Sequence, residues 1–530
     1  MLSDLLRLAP FHLVVLTALV ALMMSVVRVR GSRAFIGRFT AIGFALAGAV
    51  LFMQYGQVGS LEHPSMSSTL VLGPATHFTW ALLLVIGFCV ALMSSDHLPA
   101  QRMDHGEFYA LTAFAVSGMM IMVAASEFFT FFIGLEIMSM AVYVLCGFKR
   151  SSVFSAEASL KYFILGSFAS AILLLGIAFA YGATGSTSIV ELGHVMSANG
   201  SPNPYGTISL ILITAGFAFK VAAFPFQAWT PDAYEGAPTP VTALMAAGVK
   251  TAAVVGFLRI FVTAFGSAHV LAAVFDWTHV LAVLACATII FGNLAALGQN
   301  NVKRMLAYSA IAHAGYLLIA VSALGTSQAV GDGQTAQDLG SSIFYYLLVY
   351  GVANLAAFGV LSLFGARNRE DIDHVVLSGA ARKHPVLSLV LALALLSLAG
   401  IPPLAGFFGK FYLLREIMAA DSELLWLVIV AVLGSAVSAY YYLRPIVRMY
   451  MYAEYEPIRV IRSGATHVAL ALCVIVMVHA GIRPAKYVEL SMEAAQDLSL
   501  EQSQVHIGQI EEGLEPEVVE RKSFAQRSNR

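Results

Sequence analysis

Seven ionisable residues stand inside otherwise apolar stretches of the chain: Glu136, Lys161, Lys220, Lys250, Arg259, His313 and Lys410. An ionisable group at the centre of a lipid layer costs at least ~2.5–3.5 kcal/mol, so it is rarely kept without a partner or a water-filled path. A lysine taken out of water holds its proton less firmly, and a nearby carboxylate restores the grip. Such a lysine can load and unload a proton near neutral pH. Approach of Glu136 to Lys220 would then switch proton affinity, and a relay follows. Lys220, Lys250, Lys410 and Glu136 lie too deep to snorkel, and three lysines cannot be neutralised by one glutamate. The others keep a second reading. Lys161 follows Glu157 by four residues, which equally suits a snorkelling i,i+4 ion pair. His313 can equally be a core histidine bonded to a serine or a backbone carbonyl. Arg259, within two turns of a helix end and without an acidic neighbour at helical spacing, reads as an interface anchor.

Two of the lysines stand beside a break in their own helix. Pro225 follows Lys220 in Phe219-Lys220-Val221-Ala222-Ala223-Phe224-Pro225, and Pro402-Pro403 precede Lys410 after Gly400-Ile401. Proline removes an intrahelical hydrogen bond and frees carbonyls that water can satisfy. Paired interrupted segments point to inverted repeats. Lys220 and Lys410 are 190 residues apart, and Glu136 and His313 are 177 apart. Each pair is separated by five membrane spans, an odd number that inverts one repeat relative to the other.

The elements that must carry these residues are membrane helices. Hydrophobic residues fill 59% of the 530 positions and charged residues 12%, too little polar surface to solvate a globule of this size. Runs of about 20 apolar residues, the length a helix needs to cross a bilayer, number about fourteen. The chain reads as an all-α integral membrane protein whose two inverted five-helix repeats contain broken helices. Residues 1–100 hold three additional spans, 101–266 the first repeat, 267–450 the second, 451–484 the last span, and 485–530 a polar tail that forms a surface helix or stays disordered. The stretch from Phe11 to Val27 has no small-residue cleavage site and reads as a retained first span. The odd-numbered loops and their edges carry 17 of the 30 Lys and Arg, whereas the even-numbered ones carry only Arg415. Positive charge stays on the cytoplasmic side, so both termini are predicted to be periplasmic.

Other chemistry is poorly served. A net charge of -1 without a Lys/Arg cluster argues against nucleic acid. Cys89, Cys146, Cys286 and Cys473 lie far apart in apolar runs, with neither metal-ligand spacing nor a disulfide framework. Gly409-Lys410 is followed by Phe411 rather than Ser or Thr, which removes a phosphate-loop reading, and no cysteine cluster or glycine-rich fingerprint offers redox chemistry. The driving energy must come from a partner.

Several stretches resemble the subunit N family of respiratory complex I: Gly134-Leu135-Glu136, Glu157 to Phe163, Phe219-Lys220, Trp229 to Pro240, Gln299 to Ser309, and Gly406 to Phe411. The likeness covers roughly residues 100–450. It implies a proton-translocating subunit of a NADH:quinone oxidoreductase in a bacterial inner membrane, with fourteen helices and a polar axis of proton-passing lysines. Carried over by motif, Glu136 and Lys220 form the modulating pair, Lys161 flanks the mouth, Lys250 bridges to His313, and Lys410 serves the second half-channel. NADH, flavin, iron–sulfur clusters and quinone would be bound by partner subunits and no cofactor by this chain. M-type and K-type membrane subunits would be the neighbours, linking it to the peripheral arm. Lysine rather than glutamate at 410 separates the chain from the M-type relative, and the tail lacks the apolar sequence of the L-type lateral helix. Gln227 stands where the family often has histidine, which puts a histidine step there in doubt. A cation/proton antiporter subunit of the same superfamily is the alternative. A silent scaffold is a third reading, against which the retained lysines speak.

Overall fold

A bilayer leaves a backbone no water to bond, so each apolar run must satisfy its own amides by coiling. The computed structural model describes residues 6–27, 33–55, 69–197, 203–266, 277–330, 332–364, 372–455 and 458–496. Thirteen helices among these are long and apolar enough to cross a membrane. A fourteenth crossing is made in two pieces, Pro385–Ala399 and Ala405–Ala420, which is the twelfth span. The described residues contain no strand longer than an isolated bridge. The chain is thus an all-α, multi-pass membrane protein of about the expected span number.

Helix ends are closed locally. Proline opens the first, third and seventh spans, where its missing N–H is no loss. Asn203 accepts hydrogen bonds from the Tyr205 and Gly206 amides at the start of the seventh span, Pro204–Val221. Ser152 caps the sixth, Val153–Thr184, and Ser463 the fourteenth, Gly464–Ile482.

The two expected breaks are both present. The seventh span stops at Ala222, whose φ of 62° turns the chain aside, and a short helix Trp229–Gly236 follows. The twelfth stops at Gly400, φ 84°, and resumes at Ala405. Freed carbonyls are met mostly by protein. Trp229 Nε1 donates to Phe219 O at 3.2 Å, and Lys410 itself bonds Ala399 O at 3.1 Å.

Depth is graded around the eighth span. Every residue from 239 to 266 is buried, and the tenth (Val302–Val330) and eleventh (Gly333–Leu363) are almost as enclosed. The sixth, ninth (Trp277–Leu297) and thirteenth (Leu425–Met451) lie outside and turn Phe168, Val283 and Leu433 outward, as lipid-facing helices must. The eighth span is not a plain α-helix. It has π-turns at Met245–Val249 and Phe261–Phe265, the first ending at Lys250.

The tail begins as a helix over 484–496, folded back on the bundle. Tyr487 and Val488 join an apolar cluster with Tyr345, Val349 and Ala405, and Tyr55 donates to the Glu493 carboxylate. The rest of the tail, 497–530, including Glu511, Glu512 and Glu515, lies outside the described residues.

Candidate functional site

Lys220 sits at the last turn of the seventh span's membrane helix, 3% exposed. Its ammonium donates to Ser139 Oγ at 2.8 Å and lies 5.8 Å from the centre of the Tyr143 ring. Ser139 and Tyr143 belong to the fifth span, Phe128–Cys146, which also carries Glu136. Glu136 Oε1 is buried without a hydrogen-bond partner, and no ion pair joins it to Lys220. The fifth and seventh spans thus bring the two residues into one neighbourhood with serine as the contact.

Lys250 leaves the eighth span at the end of the first π-turn and donates to the backbone carbonyl of Ala310 in the tenth. That carbonyl is three residues before His313. Tyr350 links the two groups: Lys250 Nζ lies 5.7 Å from its ring centre and the His313 ring 4.9 Å. His313 Nδ1 faces Tyr346 OH at 2.5 Å and Nε2 faces Tyr442 OH at 3.1 Å. Its partners are therefore tyrosines rather than a serine or a backbone carbonyl.

Lys410 is held by Ser435 Oγ at 2.9 Å and Ala399 O at 3.1 Å, with its ammonium 5.4 Å from the Tyr316 ring centre. A cavity of about 10 Å³ separates it from His313, lined also by Tyr346, Tyr350 and Gly406. This is close to the smallest volume that accommodates one water. Gly400 matters here twice: its positive φ excludes most side chains, and a Cβ on it would stand 3.0 Å from Lys410 Cδ.

One pattern recurs in all three places. Each lysine has neutral oxygen acceptors and the face of a tyrosine, and the hydroxyls of Tyr143, Tyr316 and Tyr350 are buried without a hydrogen bond to the described residues. An aromatic face stabilises an ammonium by about 2 kcal/mol when desolvated, without fixing the proton as a carboxylate would. These lysines are therefore held without a hydrogen-bonded carboxylate. Among the described residues no group of three or more His, Cys, Asp or Glu could hold a metal ion.

From residue 125 to 438 the chain matches the family described as NADH:quinone oxidoreductase/Mrp antiporter, transmembrane. It is 45% identical to NADH-quinone oxidoreductase subunit N 1 of Sorangium cellulosum over 85% of this chain and 88% of that protein. The chain belongs to the subunit N family of NADH-quinone oxidoreductases. A chain of respiratory complex I from Thermus thermophilus with bound aureothin superposes with a TM-score of 0.75 at 30% identity, covering 91% of this chain and 99% of that one. A chain of the Mrp complex from Dietzia sp. DQ12-45-1b gives 0.80 over 94% and 99%, but at 21% identity this is a likeness of fold alone.

In this subunit N chain Lys161 stands apart from the buried file. It is 42% exposed on its side chain and pairs with Glu157 and with Asp232, both at 2.6 Å. The snorkelling pair is thus present, with a second carboxylate added. Asp232 is shared: its other oxygen meets Arg304 Nη1 at 2.6 Å, and Arg304 also reaches Glu235 at 2.7 Å. Burial alone would raise the Asp232 pKa, but the hydrogen bonds from Lys161 and Arg304 outweigh it and hold the carboxyl below its ordinary value. The short helix Trp229–Gly236 therefore ties the sixth span to the tenth.

Two sequence readings change. Arg259 is no interface anchor: it is 3% exposed and donates to Thr76 Oγ1 at 3.2 Å, because the eighth span is covered on every side and its end is lined by the third. Lys303, read as a loop charge, is fully buried and donates to Ala237 O at 2.6 Å. Gln227 is buried with its Oε1 unbonded, so no proton-carrying side chain replaces the histidine common there. Charge screening overlooked the tyrosines and serines that hold the lysines, since neutral hydroxyls in apolar runs give no signal. Only their one-turn spacing from Glu136 or His313 could have marked Ser139 and Ser309.

Proposed function

We propose that this chain is the proton-translocating subunit N of a NADH:quinone oxidoreductase in a bacterial inner membrane. Protons pass along Glu136, Lys220, Lys250, His313 and Lys410, with Lys161 at the mouth of the first half. The observation that carries the reading is that Lys220, Lys250 and Lys410, all buried, rest on serine and backbone oxygens and not on carboxylates. A structural lysine at such depth would be expected in an ion pair.

Residues 101–266 and 267–450 act as two inverted half-channels, with 1–100 as an addition and 451–484 as a closing span. The opposite placement of the two breaks relative to Lys220 and Lys410 supports this division. Basic residues in the odd-numbered loops support periplasmic termini. Electron transfer belongs to partners that hold NADH, flavin, iron–sulfur clusters and quinone, reached through M-type and K-type membrane neighbours. The name carried by the relatives favours this over a cation/proton antiporter subunit. Detergent extraction and identification of co-purifying subunits tests it. Flavin and iron–sulfur subunits are expected, and a set of small hydrophobic antiporter subunits would replace this reading by the alternative.

A further inference from the structure

His313 lies between Lys250 and Lys410, yet its Nε2 points to neither. It faces Tyr442 OH at 3.1 Å, and the same hydroxyl hydrogen-bonds Ser309 Oγ. Ser309 and His313 lie one turn apart on the tenth span, so Tyr442, from the thirteenth, bridges that turn with one oxygen. All three are buried: Tyr442 is 0%, Ser309 2% and His313 4% exposed.

The direction of this bridge is fixed by the helices. His313 stands eleven residues, about 16 Å, beyond the start of the tenth span, near mid-membrane. Ser309 is one turn nearer the loop that joins the ninth and tenth spans. Tyr442 is two residues, about 3 Å of rise, from Arg444, and Arg444 reaches that loop at Gln299 O (3.2 Å) and Asn300 Oδ1 (3.1 Å). Tyr441, beside it, donates to Asn293 Oδ1 at 3.0 Å on the ninth span. A polar seam thus climbs from mid-membrane toward one surface, the side of an odd-numbered, Lys/Arg-bearing loop. It is separate from the Lys250 contact, which arrives at Ala310 from the eighth span.

We infer that Ser309 and Tyr442 form a second proton feed to His313, loading it directly from the aqueous side of the ninth-to-tenth loop. The inference rests on the proton-relay reading above. A proton delivered by water to Ser309 Oγ releases that hydroxyl's own proton to the Tyr442 oxygen, and Tyr442 passes its former proton to His313 Nε2. Each O–H bond broken is replaced by one formed, both hydroxyls end neutral, and the charge rests on the imidazolium. Loss of the Nδ1 proton toward Tyr346 and the cavity shared with Lys410 leaves the neutral Nε2–H ring, and tautomer exchange with rotation of the two hydroxyls restores the starting arrangement. No redox partner is needed.

The test uses the complete complex in inverted membrane vesicles, with proton uptake measured per NADH oxidised and normalised to assembled complex. Tyr442→Phe keeps the ring and removes the hydroxyl, and Ser309→Ala removes the next link. Each is expected to lower uptake by roughly half while the Lys250 feed remains, and by at least about tenfold in a Lys250→Ala background. Ser309→Thr, which retains a hydroxyl, should restore most of it, an outcome that a packing role would not produce. If Tyr442→Phe does not assemble, the Ser309 pair decides alone. Wild-type uptake in the assembled hydroxyl-free variants, with Lys250→Ala inactive in the same vesicles, overturns the second feed and leaves the relay standing. Wild-type uptake in Lys250→Ala as well overturns the relay itself.

Discussion

Lys220 gives its hydrogen bond to Ser139 Oγ at 2.8 Å, one helical turn beyond Glu136 on the same span. Serine can release the ammonium at the cost of one neutral hydrogen bond, whereas a direct carboxylate pair would hold it. Lys220→Ala is expected to cut proton uptake by at least about tenfold and to depress coupled NADH oxidation. Lys220→Arg should be nearly as poor, since guanidinium does not release its proton near neutral pH. Uptake by an assembled Lys220→Arg complex equal to wild type would argue against titration at this site.

Glu136 makes no hydrogen bond or ion pair to Lys220, so the proposed coupling between them acts through space. Glu136→Gln keeps the shape and removes the charge, so assembly should persist while turnover falls. Combined with Lys220→Ala, its effect should be much less than additive, and measured independence of the two would separate the residues functionally.

Lys410 distinguishes a relay from a charge needed by the fold. Ser435 Oγ and Ala399 O can accept from an ammonium, but a planar guanidinium does not fit both in place of Nζ. Lys410→Glu retains an exchangeable proton, so it should pump better than Lys410→Arg at equal assembly. The reverse order would make Lys410 a packing or charge-balance residue.

Asp232 should behave as a strut with little pH response in the physiological range. Its pKa is lowered in the folded chain, so its contribution is complete above the unfolded value of ~3.9 and is lost only as pH falls through the still lower folded value. Asp232→Asn is expected to weaken both the Lys161 and the Arg304 contacts, reducing the thermal stability of the detergent-solubilised complex equally at pH 6 and pH 8. A stabilising contribution that disappears between those two pH values would contradict this assignment.

At Gly400 an added methyl group must adopt a left-handed backbone and press on the Lys410 stem. Gly400→Ala should destabilise the twelfth span by ~1–2 kcal/mol and impair pumping. Gly48, with nothing within 4 Å of an added Cβ, is the matched control, and equal tolerance at both sites would count against the Gly400 account.

Much of this was legible in the sequence because bilayers make two signals loud: apolar length and isolated charge. The roughly fourteen crossings and the buried lysines follow from those two, and both breaks from Pro225 and Pro402-Pro403. Arg259 was misread because distance from a helix end says nothing about which neighbours cover that end, and Thr76 lies 183 positions away. Asp232 was visible within a quoted motif, but its sharing between Lys161 and Arg304 needs three segments brought together in space. Tyr346 and Tyr442 were silent for another reason. A tyrosine in an apolar run looks like core until its hydroxyl is seen to face an imidazole.

The π-turn before Lys250 has a geometric consequence. A π-turn accommodates one residue more than the α-helix around it, and each residue of an α-helix advances the side chains by about 100°. The bearing of Lys250 is therefore set by a count of residues, independent of their identity. Removing one residue between 245 and 249 would relax the turn to a plain α-helix and leave Lys250 near its present bearing, whereas removing a second would swing the ammonium away from Ala310 by roughly a quarter of a circle. The eighth span thus holds one residue in reserve, and a relative shorter there by two could keep every lysine and still lose the contact between Lys250 and Ala310.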